Sequence, residues 1–431
     1  MRTVLILLVL FVNTTLADAL FQEEPLVRVR IIKGVDSLQL VPSSGWSLLI
    51  GDSAATALDN DSLISFRAQG TKLNSAVLPK SGVRSFHLKP STDSATVKIL
   101  QVPYGVGWWW GGKEDRHYEG TVHVFTDEDN DLCVAIHLPM ESYLKGVVPY
   151  EIGGDSPLEA LKAQAVAARS EAVVALNSEL YNGPHHDLTA DVECQVFSGN
   201  HRRTAASDQA VIETRGMIIS EEGQAMNAYY ASNCGGRSEL ISNVWPDRPP
   251  MKSYMVSSPD NTERKAPKLN KRLIARWWIN RSSAKVYCNP AHEDRLPSWS
   301  KQNHRWTREF TREEITRMVS QDQEMGPLKK IKILDRGPSG RIFKARFVFE
   351  GGTRDVEGEL TLRMLFSPSL RSANFYVKKR GDTFILKGAG WGHGVGMCQS
   401  GAVAQAWQGK TYAEILKHYY VHSELLSIYG E

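Results

Sequence analysis

The residues from Ser156 to about Asn177 constrain the fold most, because they combine helix start signals with a long alanine-rich run. Ser156 and Glu159 have the spacing of a capping box, and Pro157 stands at the first helical position. Alanine has the highest helix propensity, and its small side chain lets neighbouring backbones approach closely. The segment therefore predicts a central, buried helix.

Strand patterns flank this helix on both sides. Val27, Val29 and Ile31 alternate with arginines, which is the period-two pattern of a half-buried strand. Further strands are predicted at 121–125 and 132–138, in a hairpin that turns at 222–223, and in a β-meander over 329–386. Strand groups alternate with separate helices instead of forming a regular βαβ series, which predicts the α+β class.

These patterns divide the chain into five predicted segments. They are a signal peptide (1–19), an N-terminal β-rich region (20–118), a region around the alanine-rich helix (119–246), a loop-rich insertion (247–328), and a β-meander followed by a glycine-rich and helical C-terminal block (329–431).

The N-terminus has the features of an export signal. Arg2 precedes nine consecutive apolar residues, and Ala17-Asp18-Ala19 provides a cleavage site. Because this apolar run is shorter than the roughly 18 to 20 residues that span a bilayer, we expect an exported protein of the periplasm or cell envelope with no transmembrane segment. With 51 Lys+Arg against 48 Asp+Glu and no long basic run, a nucleic-acid partner is not expected.

The cysteines are too few for a disulfide scaffold, and they contain no CxxC pair. They are Cys133, Cys194, Cys234, Cys288 and Cys398. In an oxidising compartment we expect one or two bridges, with Cys194 to Cys234 as the first candidate and at least one thiol left free.

Glu151 is the most unusual carboxylate, because it follows the apolar pair Val147-Val148 just ahead of the alanine-rich helix. Apolar surroundings raise a carboxyl pKa toward the roughly 6 that suits a general acid. A nearby helix N-terminus lowers it, and the sequence leaves both outcomes open. A lone Glu before a helix is more often a solvated or capping group.

Three other segments offer candidate binding residues. Gly388–Gly396 has Gly at every second position, so an extended conformation would project Trp391 and His393 from one face; the alternative is tight strand packing with a structural His393. The turn that follows Cys234 presents Ser238 and Glu239, although no G-x-S-x-G elbow indicates a serine hydrolase. The aromatic run 108–110 could stack on a sugar or fill a core.

Three blocks of sequence together resemble a known family, the SpoIID/LytB family of bacterial cell-wall proteins. Leu138–Glu151 resembles its LPLEDYLKGVVP-x-E block, Pro157–Arg169 is nearly identical to its signature helix, and Gly390–Ala402 with His418–Tyr420 resembles its GHGVGMSQYGA and HYY blocks. The resemblance runs from about Leu26 to the end of the chain. The sequence departs from the family pattern at five positions, namely Ser142, Ser170, Ser238, Cys398 and Ser400.

The resemblance implies a peptidoglycan lytic transglycosylase that cuts glycan strands, chiefly strands stripped of stem peptides, at the MurNAc–GlcNAc bond to leave 1,6-anhydroMurNAc ends. It implies Glu151 as the single general acid/base. It also implies a set of candidate sugar-binding residues: Arg169, Tyr230, Ser238, Glu239 and His393. The alternatives are a non-catalytic enhancer of a separate N-acetylmuramoyl-L-alanine amidase, and a wall-binding scaffold that uses the 108–110 loop.

No cofactor is implied. Some family members hold zinc after the signature helix, but only His185, His186 and Cys194 remain here, and Glu193 stands where a His is expected. A closed zinc site needs four ligands, so we expect no metal.

Overall fold

The computed structural model describes residues 20–430 except for 52, 109, 179, 249–250, 256, 262–270, 281–284 and 321–323. The predicted signal peptide lies outside the described residues. The N-terminal region consists of strands, as its alternating pattern predicts. They are β1 (Leu26–Val35), β2 (Ser37–Pro42), β3 (Trp46–Leu49), β4 (Thr56–Ala57), β5 (Ile64–Gln69), β6 (Lys72–Asn74), β7 (Ser85–Pro90), β8 (Val97–Tyr104) and β9 (Gly112–Tyr118).

Strands and helices alternate in the region around the alanine-rich helix. Its elements are β10 (Thr121–Thr126), β11 (Leu132–Pro139), α1 (Met140–Ile152), α2 (Leu158–Ser178), β12 (Leu188–Thr189), α3 (Ala205–Glu213), β13 (Met217–Glu221), β14 (Gln224–Ala225) and β15 (Tyr230–Ala231). The predicted strands β10 and β11 and the hairpin of β13 and β14 are confirmed.

The rest of the chain contains the remaining helices and strands, and its last two helices return to α2. Its elements are α4 (Ile241–Val244), a 3₁₀ turn (Lys252–Tyr254), α5 (Lys271–Asn280), α6 (Ser298–His304), β16 (Arg305–Thr311), α7 (Arg312–Ser320), β17 (Leu328–Arg336), β18 (Ile342–Phe349), β19 (Thr353–Glu357), α8 (Glu359–Met364), β20 (Phe375–Arg380), β21 (Thr383–Ala389), β22 (Met397–Cys398), α9 (Gln399–Trp407), α10 (Tyr412–Tyr419) and β23 (Glu424–Ser427). The α+β class is confirmed. No helix in the described part of the chain is long and apolar enough to cross a bilayer.

Two sheets organise the N-terminal half. A seven-stranded sheet has the order β12-β1-β11-β10-β7-β3-β4, and a five-stranded sheet has the order β6-β5-β2-β8-β9. In β1, Val27 and Val29 are fully buried, while Arg28 and Arg30 are partly exposed. The valines therefore lie on the face of the strand that packs against the core. The sheets share one hydrophobic core with α1 and α2.

The helix α2 is buried along its length, as predicted. Its alanines at 160, 163, 165, 167, 168 and 172 have no exposed surface. The predicted capping box is wrong, however, because Ser156 Oγ donates to the Ile152 carbonyl and the Glu159 carboxylate accepts from the Tyr412 N–H (2.6 Å). A capping box does form at Thr411 of α10. At the start of α2, Ser156 and Glu159 therefore bond to other parts of the chain instead of to each other. The bond from Tyr412 to Glu159 also attaches the C-terminal helix α10 to α2.

The predicted single meander is two sheets. β17, β18 and β19 form one three-stranded sheet, whereas β20 and β21 join β16 in another. Helix α8 separates β19 from β20, and β16 comes from the segment that we predicted to be a loop-rich insertion. A second hydrophobic core fills the space around these elements. Local turn signals marked the strands correctly but carried no information on which sheet each joins.

The glycine-rich stretch is not extended. Gly390, Gly392, Gly394 and Gly396 all have positive φ angles, between 72° and 92°. The segment turns repeatedly to follow the backbone of residues 229–235, and a Cβ on Gly396 would lie 1.9 Å from the Tyr229 carbonyl oxygen. The expectation of one bare face is therefore wrong, and the close-packing alternative is right: only glycine permits both this conformation and this approach.

Candidate active site

Glu151 lies in the last turn of α1, where the chain must reverse to enter α2. The helix ends at Ile152, and Gly153 continues with a φ of 87°, which favours glycine. The Glu151 side chain is half-buried, and its Oε1 accepts the Val196 N–H (2.9 Å). The carboxyl is therefore held by its position in α1 and by the loop that precedes α3.

The sequence left open whether the pKa of Glu151 is raised or lowered. Burial raises the pKa of this carboxyl to about 7, against the opposing effects of the Val196 N–H and the Gln399 side chain. Burial outweighs the hydrogen bonds because a charged carboxylate loses most of its hydration there. Near neutral pH the group exists in both protonation states, so it can donate and later accept a proton.

A glutamine next to Val196 connects two tyrosines whose pKa values the Glu151 charge influences. Gln195 Nε2 donates to the Tyr143 hydroxyl (3.3 Å), and Gln195 Oε1 accepts from the Tyr230 hydroxyl (2.8 Å). Burial raises the pKa of both tyrosines well above the ordinary value, and the Glu151 charge raises each further. Both hydroxyls stay protonated, and the structure brings the predicted residue Tyr230 into the Glu151 neighbourhood.

The helix α2 adds a second carboxyl that the sequence analysis did not single out. Burial raises the pKa of Glu171 to about 8, although Arg248 and the Ala228 N–H oppose the shift. Its Oε1 is buried and has no hydrogen-bond partner among the described residues. The Glu171 charge also raises the pKa of Tyr143 and Tyr230, so the two tyrosines are influenced by both carboxyls.

A glutamine pair connects α9 to α2 at Glu151. Gln399, at the start of α9, donates through Nε2 to Gln164 Oε1 (3.2 Å) and also hydrogen-bonds the Glu151 carboxyl. Gln164 and Glu171 are seven residues apart in α2, which places them on one helix face. That polar spacing in an alanine-rich helix was the signal that could have revealed both residues.

His393 acts on the site through the backbone. Its Nε2 donates to the Tyr230 carbonyl oxygen (2.9 Å), and its Nδ1 accepts the Val395 N–H (3.1 Å). Burial lowers the pKa of His393 to about 3, and the nearby Arg341 charge adds to this shift. The ring therefore stays neutral and holds the strand that carries Tyr230, which agrees with the structural alternative for this histidine.

Arg169 belongs to a buried ion pair. Its guanidinium donates to both carboxylate oxygens of Glu141 (2.9 and 2.6 Å) and to the Met217 carbonyl oxygen (2.9 Å). Glu141 in turn accepts the Gly216 N–H and the Tyr429 hydroxyl. Arg169 has no exposed surface and is held by these structural contacts, so its role in sugar binding stays a prediction.

Ser238 and Glu239 are also occupied by the fold. Ser238 Oγ accepts the Ser258 N–H (2.9 Å), and the buried Glu239 carboxylate accepts from the backbone of Leu240 and from Ser339. These bonds tie the turn after Cys234 to neighbouring loops. The structure therefore gathers Glu151 and Tyr230, with His393 behind them, and places Arg169, Ser238 and Glu239 in structural contacts.

The aromatic loop packs against the protein at its two described positions. Trp110 stacks with Tyr104 (6.4 Å between ring centroids), and Trp108 lies over the Arg363 guanidinium (5.4 Å). Trp109 lies outside the described residues. Both described tryptophans are half-buried, so the sugar-stacking and core-filling interpretations both stay open.

The predicted Cys194–Cys234 bridge is wrong. All five cysteines are free thiols, and Cys234 lies 3.7 Å from Cys288, measured between the sulfur atoms. Cys194 instead lies close to Glu171, whose charge adds to the burial that raises the Cys194 pKa. His185 packs edge-on against His123 (5.0 Å between ring centroids). The absence of a metal at the His185, His186 and Cys194 loop stays a prediction.

Comparison with known proteins agrees with the resemblance of the motifs. Residues 128–220 match the family described as SpoIID, Stage II sporulation protein. Residues 239–396 match a Domain of unknown function (DUF8618). The first match covers β11 to β13 and therefore includes Glu151, Glu171 and Gln195.

Longer matches to individual relatives extend this finding. The chain is 31% identical over 303 residues to an uncharacterized protein of Brachyspira hyodysenteriae, covering 70% of each chain. It is 27% identical to Stage II sporulation protein D of Bacillus subtilis, over 67% of this chain and 75% of the relative. It is 26% identical to an Amidase enhancer of the same organism, over 66% of this chain but only 40% of the relative. The chain belongs to the SpoIID family.

Proposed function

We propose that this protein is an exported lytic transglycosylase that cleaves peptidoglycan glycan strands, chiefly peptide-denuded ones, between MurNAc and GlcNAc. The observation that carries this proposal is the half-buried Glu151 carboxyl, whose pKa is raised to about 7. Membership of the SpoIID family supports a cell-wall substrate. The protein would act in the periplasm or cell envelope.

The proposed reaction uses one carboxyl twice. Glu151 first donates its proton to the glycosidic oxygen, and the bond to C1 of the muramic acid breaks. The resulting carboxylate then accepts the proton of the C6 hydroxyl, whose oxygen bonds to C1 and closes a 1,6-anhydro ring. No water enters the products, and Glu151 returns to its protonated state.

The second carboxyl suits this scheme because it is uncharged at neutral pH. Retaining and inverting glycosidases need an ionised second carboxylate as nucleophile or base. Burial raises the pKa of Glu171 to about 8, which keeps it mostly protonated at pH 7. Glu171 can donate a hydrogen bond there, while Tyr230 and Gln399 orient the sugar and the Glu151 carboxyl.

Product analysis tests the proposed reaction. Denuded glycan strands are incubated with the purified mature protein, and their ends are identified by mass spectrometry. Ends in 1,6-anhydroMurNAc are expected, because the C6 hydroxyl replaces water as the nucleophile. Reducing ends would indicate a hydrolase and would contradict the intramolecular step.

Cleavage is expected to fall as pH rises through about 7, because Glu151 must carry its proton to act as the acid. Since the raised pKa favours the protonated form, the active state predominates below this value and is lost above it. The initial rate on denuded strands, measured between pH 5 and 9 at constant ionic strength, gives the profile. A rate that stays constant across neutral pH would argue against Glu151 as the acid.

A second candidate function rests on the relative named Amidase enhancer. In that case the protein binds glycan strands and stimulates a separate amidase without cutting glycan itself. Pull-down of denuded strands with no change in their length, together with faster stem-peptide release by an added amidase, would favour this function over catalysis.

A further inference from the structure

Four potential metal ligands from separate segments meet in one buried cluster. The cluster consists of Cys234, Asp260, Cys288 and Cys398, and we call it the Cys/Asp cluster. The sulfur atoms and a carboxylate oxygen of these residues all lie within 4.8 Å of one another, and all four residues are buried. It is separate from the His185, His186 and Cys194 loop considered above.

The sulfur spacing fits coordination better than a covalent bridge. Cys234 Sγ and Cys288 Sγ are 3.7 Å apart, far beyond the roughly 2.05 Å of a disulfide. Ligands in a tetrahedron around Zn²⁺, with Zn–S bonds of about 2.3 Å, stand about 3.8 Å from one another. The third thiol and the carboxylate supply the two remaining corners.

Hydrogen bonds orient the ligand atoms from outside. Cys398 Sγ accepts the Cys234 N–H (3.2 Å), and Cys234 Sγ accepts the Gly236 N–H (3.3 Å). The Asp260 carboxylate accepts the Cys288 N–H (3.0 Å) and the Tyr419 hydroxyl (2.8 Å). Donors placed in this way stabilise negative charge on ligands and hold them in position for a cation.

The protein supplies only part of the positive charge that the cluster needs. His418 Nε2 lies 3.7 Å from Asp260, and Arg341 donates to the Cys234 carbonyl oxygen (3.2 Å). Three thiolates and a carboxylate would together carry four negative charges in the interior. Buried charges are normally paired or bound to a metal, so a divalent cation at the centre would complete the site.

We propose that Cys234, Asp260, Cys288 and Cys398 together bind one Zn²⁺ ion as a closed, structural site. Three thiolates favour a soft or borderline metal over Mg²⁺ or Ca²⁺, and the carboxylate is an accepted fourth ligand of Zn²⁺. Four protein ligands leave no open position for a substrate. Binding replaces the thiol protons, which are released to solvent as the Zn–S bonds form.

The ion would fasten the segment that matches DUF8618 to the rest of the chain. Asp260 and Cys288 lie inside residues 239–396, whereas Cys234 and Cys398 lie just outside them. Cys398 pairs with Ala231 across the parallel strands β15 and β22 and directly precedes Gln399. The site therefore also fixes the start of α9, from which Gln399 reaches Glu151.

Metal content of the mature protein, purified under reducing conditions without chelator, tests the proposal directly. One Zn²⁺ per chain is expected by mass spectrometry of the elements. After Zn²⁺ removal, Co²⁺ should produce the visible absorption of a tetrahedral site and a sulfur-to-cobalt charge-transfer band. A metal-free protein that gives neither band with Co²⁺ would overturn the proposal, as would a disulfide between two of the three cysteines.

Variants assign the ligands. Cys288→Ser should abolish the charge-transfer band or weaken it strongly, whereas Cys133→Ser, at a buried thiol outside the cluster, should leave it intact. Tyr419→Phe keeps all four ligands but removes the hydroxyl bonded to Asp260, and it should weaken Zn²⁺ binding by roughly 10- to 100-fold. Equal loss from Cys133→Ser and Cys288→Ser would contradict the assignment. None of these readouts depends on glycan cleavage.

Discussion

Replacing Glu151 with glutamine is expected to lower the rate of glycan cleavage by roughly 10²- to 10⁴-fold, the usual contribution of a general acid. Glutamine has nearly the same size, and its amide oxygen can still accept the Val196 N–H, so the local fold should persist. The amide has no proton that it can give to the glycosidic oxygen. The loss should therefore appear in kcat, while binding of denuded strands changes little.

Two other substitutions of the same kind serve as controls. Glu313→Gln changes an exposed glutamate in the first turn of α7 and should leave cleavage unchanged. Glu171→Gln changes a carboxyl that is already largely neutral at pH 7, so it should cost much less than Glu151→Gln. If Glu171→Gln abolished cleavage while Glu151→Gln retained it, the roles of the two carboxyls would have to be exchanged.

The sequence predicted those parts of this site that depend on local pattern. Helix propensity placed α2, and a run of motif residues located Glu151. The sequence left the direction of the Glu151 pKa shift open, because that direction depends on burial by distant segments. Glu171 was missed because its seven-residue spacing from Gln164 is a weak signal by itself, and only folding brings its charge near Tyr230.

For the residues predicted to bind sugar, the sequence motifs do not specify which partners each side chain meets in the fold. Arg169, Ser238 and Glu239 lie in or near motif blocks, yet each is held by partners far away in the chain. Arg169, for example, meets Glu141 across 28 residues. A motif indicates that a position matters, but burial and hydrogen bonding decide whether it serves the fold or the ligand.

The contacts among the cysteines join residues that are far apart in the sequence. A bridge between Cys194 and Cys234 was predicted because both residues fall in the same region of the chain. Folding instead brings Cys234 to Cys288 and Cys398, across 54 and 164 residues. No local pattern specifies such a meeting, because it depends on how the segment 239–396 returns to the parallel pair of β15 and β22.

Arg169→Met is expected to destabilise the protein by about 3 to 5 kcal/mol, the usual cost of removing one partner from a buried ion pair. Arg169 has no exposed surface, and Glu141 is 8% exposed. Without the guanidinium, the Glu141 carboxylate would remain buried, with the Gly216 N–H and the Tyr429 hydroxyl as the remaining donors to its Oε1. Urea unfolding, followed by tryptophan fluorescence, measures the change in free energy.

The double replacement of Arg169 and Glu141 separates a structural role from sugar binding. Replacing a buried pair by apolar residues is often neutral or stabilising, so adding Glu141→Leu to Arg169→Met should recover much of the lost stability. If Arg169 serves only to stabilise the fold, stability and glycan cleavage should both recover in the double variant. If Arg169→Met instead kept full stability and lost only strand binding, Arg169 would contact the glycan, and its ion pair with Glu141 would have to open when substrate binds.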